Sequence, residues 1–109
     1  MKSRSFSTRI IAYKKGDHYL GVALDFDLMV QSESLEQALY ELKSCIESYL
    51  ITCVQENESD EDIYRVATKK YQNLHGLFVE LQMKNERSKG HIENYLGTLS
   101  YNQKELANV

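Results

Sequence analysis

The feature that most constrains the fold is the stretch from Tyr19 to Val54, in which strand-like alternation gives way to a helical stripe with little chain between them. Four large apolar residues alternate in its first part and form what we call the large-residue face of the strand: Leu20, Val22, Leu24 and Phe26. Such alternation is typical of a strand with one buried face. Ser34 follows as a helix N-cap, with Gln37 placed to complete a capping box.

A helix is predicted over residues 34–56. Its apolar residues recur at spacings of three and four: Leu35, Ala38, Leu39, Leu42, Ile46, Tyr49 and Cys53. This spacing places them on one side of an α-helix. We expect the stripe to pack on the large-residue face, because a helix and a sheet must each bury their apolar side. Burying each large side chain is worth about 1.5–3 kcal/mol, so this contact is expected to dominate stability.

The strands around this stretch are predicted to form an antiparallel meander. Residues 6–15 alternate, Gly16-Asp17 supplies a two-residue hairpin turn in which glycine takes positive φ, and residues 18–26 return. A short third strand is predicted over residues 28–31. The sequence does not decide whether the sheet has a fourth strand. Gly21 and Ala23 lie opposite the large-residue face, where small side chains let another element or a second subunit come close. The predicted fold class is α+β, an antiparallel β-β-β-α meander with the long helix on one sheet face.

Two segments are predicted, a β-β-β-α domain over residues 1–56 and a helical extension over residues 57–109. The acidic run 56–62 separates them and favours a following helix N-terminus. The extension is expected to pack on the same core or on a partner subunit. Four residues near its end are spaced for a short helix: Ile92, Tyr95, Leu96 and Leu99.

The second long helix has three competing interpretations. Continuous apolar spacing predicts a helix over residues 62–86, which Gly76 interrupts at a cost of about 1 kcal/mol. Thr68 as a fresh N-cap instead predicts a helix over 69–85. Alternation over 77–83 fits a strand, but we favour the helix because its period continues from upstream.

Length and composition are those of one small globular domain. With 109 residues the chain has room for one modest core. No apolar run approaches the ~20 residues of a membrane helix, and no apolar segment of a signal peptide follows the basic start, so a cytoplasmic location is expected. Cys45 and Cys53 lie too far apart along one helix to form a disulfide, and we expect both to pack as small apolar side chains.

The charge balance does not favour nucleic acid as a partner. The formal net charge is −3, whereas binding to phosphates usually needs a basic excess. Basic residues do crowd the N-terminal segment: Lys2, Arg4, Arg9, Lys14 and Lys15. They form either a local basic patch or a charged strand edge that discourages aggregation. Tyr13 and Tyr19 could stack bases on an open sheet face, or serve as core-edge and interface residues.

The candidate catalytic residues are few. Asp25 and Asp27, with Glu33 nearby, could hold a divalent metal on a strand face, as in metal-dependent nucleases. Aspartate is also common in the turns between strands. The three histidines show no metal-ligand spacing, and no phosphate-binding loop, nucleophile elbow or dinucleotide motif is present. No metal or other cofactor is expected.

Residues 13–50 carry a recognisable combination: a Gly16-Asp17 hairpin, a strand, the cap Ser32-Glu33-Ser34 and a helix that opens Leu35-Glu36-Gln37-Ala38-Leu39. This order resembles the N-terminal domain of the HicB-like antitoxin family. The family often has a proline-containing segment between strand and cap, whereas this chain has no proline. Many members also carry a C-terminal DNA-binding segment, which has no recognisable match after Glu56.

The resemblance implies a partial RNase H-like fold and a non-catalytic role in bacteria. The chain would be the antitoxin of a type II toxin–antitoxin pair, covering a small, basic, RNA-cleaving toxin and forming a dimer or tetramer. The expected interface combines the small-residue strand face with the helix end that is apolar on several sides: Tyr19, Gly21, Ala23, Tyr49, Leu50 and Val54. A nucleic-acid-binding regulator and a metal-dependent nuclease using Asp25 and Asp27 are the alternatives.

Overall fold

The computed structural model describes residues 4–88 and 94–107. Its elements are β1 Ser5–Lys15, β2 His18–Ala23, β3 Leu28–Ser32, α1 Leu35–Gln55, α2 Asp60–Ile63, α3 Lys69–Ser88, β4 Asn94–Asn102 and α4 Gln103–Ala107. The predicted α+β class and the β-β-β-α order of the first half are confirmed. The first hairpin turns at Gly16 with φ 63, as its sequence predicts.

The four strands form one antiparallel sheet in the order β3-β2-β1-β4. The long β1 pairs with β2 through residues 10–15 and with β4 through residues 5–13. The short helix predicted around Tyr95–Leu99 is therefore wrong, because this segment is the fourth strand. The predicted Ile92 lies outside the described residues, as do the chain's last two positions, 108 and 109.

Helix α1 begins as the capping motif predicts. The Ser34 hydroxyl accepts a hydrogen bond from the Gln37 backbone N–H at 3.1 Å, which satisfies one of the free N–H groups at the helix start. The Gln37 amide donates to Glu41 at 3.1 Å instead of closing the box. The buried residues of the helix recur at the predicted spacing: Ala38, Leu42, Ile46, Leu50 and Cys53.

Helix α1 packs on the sheet face opposite to the one expected. A Cβ atom added at Gly21 would lie 3.3 Å from the Ala38 carbonyl oxygen and 3.4 Å from Leu42 Cβ. The backbone of α1 thus comes close to β2 because the strand has no side chain at Gly21. The small-residue face receives the chain's own helix.

The large-residue face is divided between two cores, which corrects the prediction that it packs on α1. Leu20, Val22 and Leu24 belong to a core on the other side of the sheet. Only Phe26, of these four residues, reaches the α1 core, because β2 ends at Ala23 and residues 24–27 form a turn. The predicted strand over 18–26 is too long by three residues. Side chains after Ala23 therefore no longer alternate between the two faces of the sheet.

A second layer covers the large-residue face. Helix α3 and the segment before it complete this core together with β1 and β2: Ile11, Tyr13, Leu20, Val22, Leu24, Ala67 and Phe78. The helix begins after Thr68, as one alternative predicts, so the continuous helix over 62–86 and the strand over 77–83 are wrong. The chain before α3 is extended and bonded to the β2–β3 turn, with Ala67 N–H donating to Leu24 O at 2.8 Å.

The second half of the chain shares the sheet and core of the first half. Ile63 of α2 and Leu106 of α4 are 0% and 4% exposed and lie in the α1 core. These two elements of the second half thus contribute side chains to the same core as α1. Within the described ranges, no helix combines the length and apolar character needed to cross a membrane.

Candidate functional site

The carboxylate proposed for metal binding, Asp25, is engaged by β1. The backbone N–H of Arg9 donates to Asp25 Oδ2 at 2.8 Å, and Arg9 Nη2 donates to Oδ1 at 2.9 Å. The Asp25 backbone N–H in turn donates to Thr8 Oγ1 at 3.1 Å. Burial by itself raises the pKa of Asp25, but the hydrogen bonds and charge of Arg9 outweigh it and hold that pKa below its ordinary value. Both oxygens of this carboxylate serve to fasten the β2–β3 turn to β1.

Asp27 lies in the same turn, exposed and with a positive φ of 53. Aspartate tolerates this conformation better than most residues, so the turn interpretation accounts for it. Across residues 4–88 and 94–107, no group of three or more His, Cys, Asp or Glu side chains is placed to hold a metal ion. The structure does not assemble a metal centre from Asp25, Asp27 and Glu33.

The two described histidines occupy different settings. His18 is exposed at the start of β2. His75 is half-buried on α3, where burial and then the positive charge of Arg9 lower its pKa. His91 lies outside the described residues. A polar contact joins β1 to α3 near His75: Arg9 Nη2 also donates a hydrogen bond to Gln72 Oε1 at 3.1 Å. The sequence did not predict this contact.

The basic cluster of the N-terminal segment is dispersed by pairing. Arg4 forms an ion pair with Asp60 and donates to the Glu58 carbonyl oxygen at 3.0 Å. Arg9 is bound to Asp25, whereas Lys14 and Lys15 are exposed beside the hairpin turn. Lys2 lies outside the described residues. The local basic surface is therefore smaller than the sequence indicates.

Tyr13 is one of the two tyrosines proposed to stack on bases. Tyr13 is only 8% exposed, and its ring packs against Phe78 of α3 at 5.5 Å between centroids. Tyr19 is half-buried. The sheet face that carries Tyr13 is covered by α3, so its ring is not available to stack on a nucleic-acid base.

The predicted interface residues are largely used within the chain. Gly21, Ala23 and Leu50 are buried, the first two beneath α1 and the third in the core of α1. Val54 is half-buried against the same core. Tyr49 donates its hydroxyl to the Ile63 carbonyl oxygen at 2.5 Å, and burial is the main reason that its pKa rises to about 12. Of the six, none is fully exposed, so the surface they offer to a second subunit is small.

Three large apolar side chains of α3 are exposed. Leu77, Leu81 and Met83 are 48%, 37% and 56% exposed. The side of this helix that faces the sheet buries Phe78 and half-buries Tyr71 and Leu74. The apolar spacing of the sequence contains this signal, but it does not tell which of these residues the sheet covers. An apolar helix surface of this kind is typical of a protein-binding site.

An acidic surface lies at another part of the molecule. Residues 56–62 hold five carboxylates and form the α1–α2 connection and α2 itself. Glu56, Glu61 and Asp62 are exposed. Residues 56–59 connect the two helices, residues 60–62 begin α2, and the charge of the segment is available to a basic partner.

Comparison with models of known protein families, with curated proteins and with solved structures gives no match to this chain.

Proposed function

We propose that this chain is a non-catalytic protein-binding module, similar to the antitoxin of a type II toxin–antitoxin pair, that neutralises a small RNA-cleaving toxin by covering its surface. The likeness of residues 13–50 to HicB-like antitoxins supports this function. The structural use of Asp25 and Arg9 also supports it, because the two residues that sequence reasoning linked to nuclease and nucleic-acid chemistry bind each other.

The observation that carries the proposal is the exposed apolar surface that Leu77 and Leu81 form, one helical turn apart, on α3. A helix with exposed apolar residues can bind in a groove of a partner protein. Burial of such a side chain contributes about 1.5–3 kcal/mol. Leu77 and Leu81 are four residues apart and so share one side of the helix, which makes them the expected anchors.

The acidic segment 56–62 complements this apolar surface. A partner with a positive potential would be steered toward the chain, which raises the association rate more than the final affinity. The segment is therefore expected to affect the salt dependence of binding, whereas the α3 surface is expected to affect how long the complex lasts. The two contributions can be separated experimentally.

The test is recovery of a partner by the tagged full-length chain from native cells, at physiological and at high salt. We expect one small basic protein, encoded beside this chain, in a fixed ratio to it. That protein should cleave RNA when alone and stop when this chain is added. Recovery of this chain alone, or of a partner without RNA-cleaving activity, contradicts the proposal.

Matched variants locate the binding surface. Leu77→Ser combined with Leu81→Ser should lose the partner at both salt concentrations and should leave cooperative unfolding in urea in place. Tyr40→Ser is the control, because Tyr40 is 72% exposed on α1 and lies on another helix. If the double variant still inhibits the toxin as well as the unmodified chain, α3 is not the binding surface.

The same preparations distinguish the two alternatives. A nucleic-acid-binding regulator would shift RNA or DNA in gels at low salt, where electrostatic binding is strongest, and the exposed Lys14 and Lys15 would be its first candidates. A metal-dependent nuclease would cleave RNA by itself when a divalent cation is added, and Asp25→Asn would remove that activity. We expect neither result.

A further inference from the structure

Strand β4 is a long edge strand of the sheet that the described residues form. It pairs with β1 over nine positions, from Tyr13 opposite Asn94 to Ser5 opposite Asn102. It is the last strand in the order β3-β2-β1-β4. On its other side, no strand of the described part of the chain is bonded to it. A free edge of this length is a template for pairing with another strand.

The backbone groups that face outward can be identified from β1. The Arg9 carbonyl oxygen accepts from Leu24 N–H at 2.9 Å, and the Arg9 N–H donates to Asp25, so both groups point toward β2. Two opposite residues of an antiparallel pair of strands either bond each other or both direct their N–H and C=O groups away from each other. Thr98 is opposite Arg9. Because the Arg9 groups point toward β2, the N–H and C=O of Thr98 point away from β1. The bond from Gln103 N–H to Arg4 O at 2.8 Å fits this alternation. The outward residues of β4 are Asn94, Leu96, Thr98, Ser100 and Asn102.

The usual protection of an edge strand is missing from β4. Natural edges are short, charged, interrupted by proline or bulged, whereas Asn94–Asn102 has no charged residue and no proline. The opposite edge, β3, is five residues long and is flanked by Asp27 and Glu33. Only one of the two edges is therefore both long and uncharged.

The sequence of β4 is symmetric about Thr98 in its two outer pairs of residues, and it differs in the two inner pairs, Leu96 with Ser100 and Gly97 with Leu99. An antiparallel pair of two β4 strands centred there places Asn94 opposite Asn102, Tyr95 opposite Tyr101 and Thr98 opposite Thr98 of the second copy. Aromatic and Thr–Thr pairs across strands stabilise a sheet. The same register sets every outward backbone group of one strand against an outward group of the other. A self-complementary edge fits a second copy of the chain.

Tyr95 adds an aromatic surface to this edge. Its ring lies over Gly97, where an added Cβ would come within 2.8 Å of it, and the residue is 37% exposed. In the centred register, Tyr101 of the second copy comes beside this ring on the same sheet face. Tyrosine is among the residues that contribute most at protein interfaces.

We infer that β4 is a dimerisation strand, through which two copies of this chain pair antiparallel about Thr98 and join their sheets into one. This interface is separate from the α3 surface proposed to bind a partner protein, so either can fail without the other. It also differs from the interface expected at Tyr19, Gly21 and the end of α1.

The test measures the mass of the full-length chain in solution by sedimentation over a range of concentrations. The unmodified chain is expected at twice 12.7 kDa. Thr98 is exposed, so Thr98→Lys should preserve the fold but set like charges opposite each other and halve the mass. Tyr40→Lys, at an exposed position of α1, should leave the dimer intact. A monomeric unmodified chain at every concentration overturns the inference, as does a Thr98→Lys variant that stays dimeric.

A charge-swap pair tests the register itself. Thr98→Glu alone should also be monomeric, whereas an equal mixture of the Thr98→Lys and Thr98→Glu chains should recover the dimer mass, because position 98 faces its own counterpart. A matching pair of variants at Tyr40 should show no such recovery. If the mixture stays monomeric although each single variant has lost the dimer, the two-fold register about Thr98 is wrong.

Discussion

Two glycines of this chain differ in what surrounds them. Gly21 is enclosed, and a Cβ there would lie 3.1 Å from Val30 Cγ2 and 3.3 Å from the Ala38 carbonyl oxygen. Gly76 in α3 has nothing within 4 Å of an added Cβ. Neither residue has a positive φ that would require glycine. The packing of α1 on β2 therefore gives Gly21 its role, whereas Gly76 only weakens its helix.

Substitution of these glycines should change stability in opposite directions. Strand propensity alone would make Gly21→Val stabilising, but we expect a loss of about 1–3 kcal/mol because the side chain overpacks the α1 contact. Gly76→Ala should gain about 0.5–1 kcal/mol from helix propensity. Urea unfolding of both variants measures the two changes. A stabilising Gly21→Val would mean that α1 does not lie on this face.

Asp25 makes stability depend on pH in a predictable direction. Its pKa is lower in the folded chain than its ordinary value, so the carboxylate contributes stability above the unfolded pKa of about 3.9. That contribution is lost as pH falls through the folded pKa. At neutral pH, Asp25→Asn should cost about 1–3 kcal/mol, because it weakens hydrogen bonds to the charged Arg9.

The difference between Asp25→Asn and the unmodified chain should therefore be largest near neutral pH. It should shrink as the pH falls below about 4, because the carboxyl of the unfolded chain then takes up a proton, and it should be lost once the pH has passed the lower pKa of the folded chain. Urea unfolding across this range measures it. Asp27→Asn is the control, because Asp27 is exposed in the same turn, and its effect should stay within about 0.5 kcal/mol. An Asp25→Asn difference that does not change with pH would contradict the pairing with Arg9.

At the scale of elements, one hydroxyl joins α1 to α2. Tyr49 donates to the Ile63 carbonyl oxygen at 2.5 Å, and its ring packs on Phe26 with centroids 5.7 Å apart. The hydroxyl of Tyr13 is buried, and it has no hydrogen-bond partner among the described residues. The two tyrosines thus offer a matched comparison between a bonded hydroxyl and one without a bond.

Tyr49→Phe should destabilise the chain by about 1–2 kcal/mol, because the Ile63 carbonyl oxygen loses its donor. Tyr13→Phe should be neutral or slightly stabilising, since a buried hydroxyl without a partner is costly. The midpoint of urea unfolding, at an unchanged slope, measures both. Equal losses in the two variants would show that the Tyr49 bond contributes nothing specific.

Local signals explain which elements the sequence can predict. The Gly16 turn and the Ser34 cap each act within a few residues, and β1, the hairpin and α1 follow from them. The choice of sheet face is not local: alternation shows that Leu20 and Val22 share a face, but not which helix covers it. Both faces of this sheet are covered by helices. The face that carries Gly21 lets α1 come close, and the large-residue face packs against α3.

Strand β4 and the exposed surface of α3 cannot be predicted from the sequence, for a related reason. Tyr95, Leu96 and Leu99 fit a helical period as well as a strand, and β1 as partner decides between them. Likewise Leu77 and Leu81 continue the apolar pattern of α3, and only the contacts of the folded chain show that they stay exposed. In each case the missing information is a contact between distant parts of the chain.

At the scale of the whole molecule, the sheet depends on both halves of the chain. The first half supplies three strands and α1, while the second supplies β4 and the cover of the large-residue face. The molecule measures 48 × 25 × 24 Å, and a 20-residue helix such as α3 spans about 30 Å. One side of this helix covers the sheet, while Leu77 and Leu81 remain exposed.

The fragment of residues 1–56 should therefore not fold alone. It lacks Ile63, Phe78 and Leu106, which are at most 8% exposed and together contribute about 5–9 kcal/mol, comparable with the about 5–15 kcal/mol that stabilises a whole domain. We expect no cooperative urea transition for the fragment, whereas the full chain shows one. Addition of residues 57–109 as a separate peptide should restore part of that transition, because it returns β4 to β1. Cooperative unfolding of 1–56 by itself would show that the second half is an extension and not a part of the core.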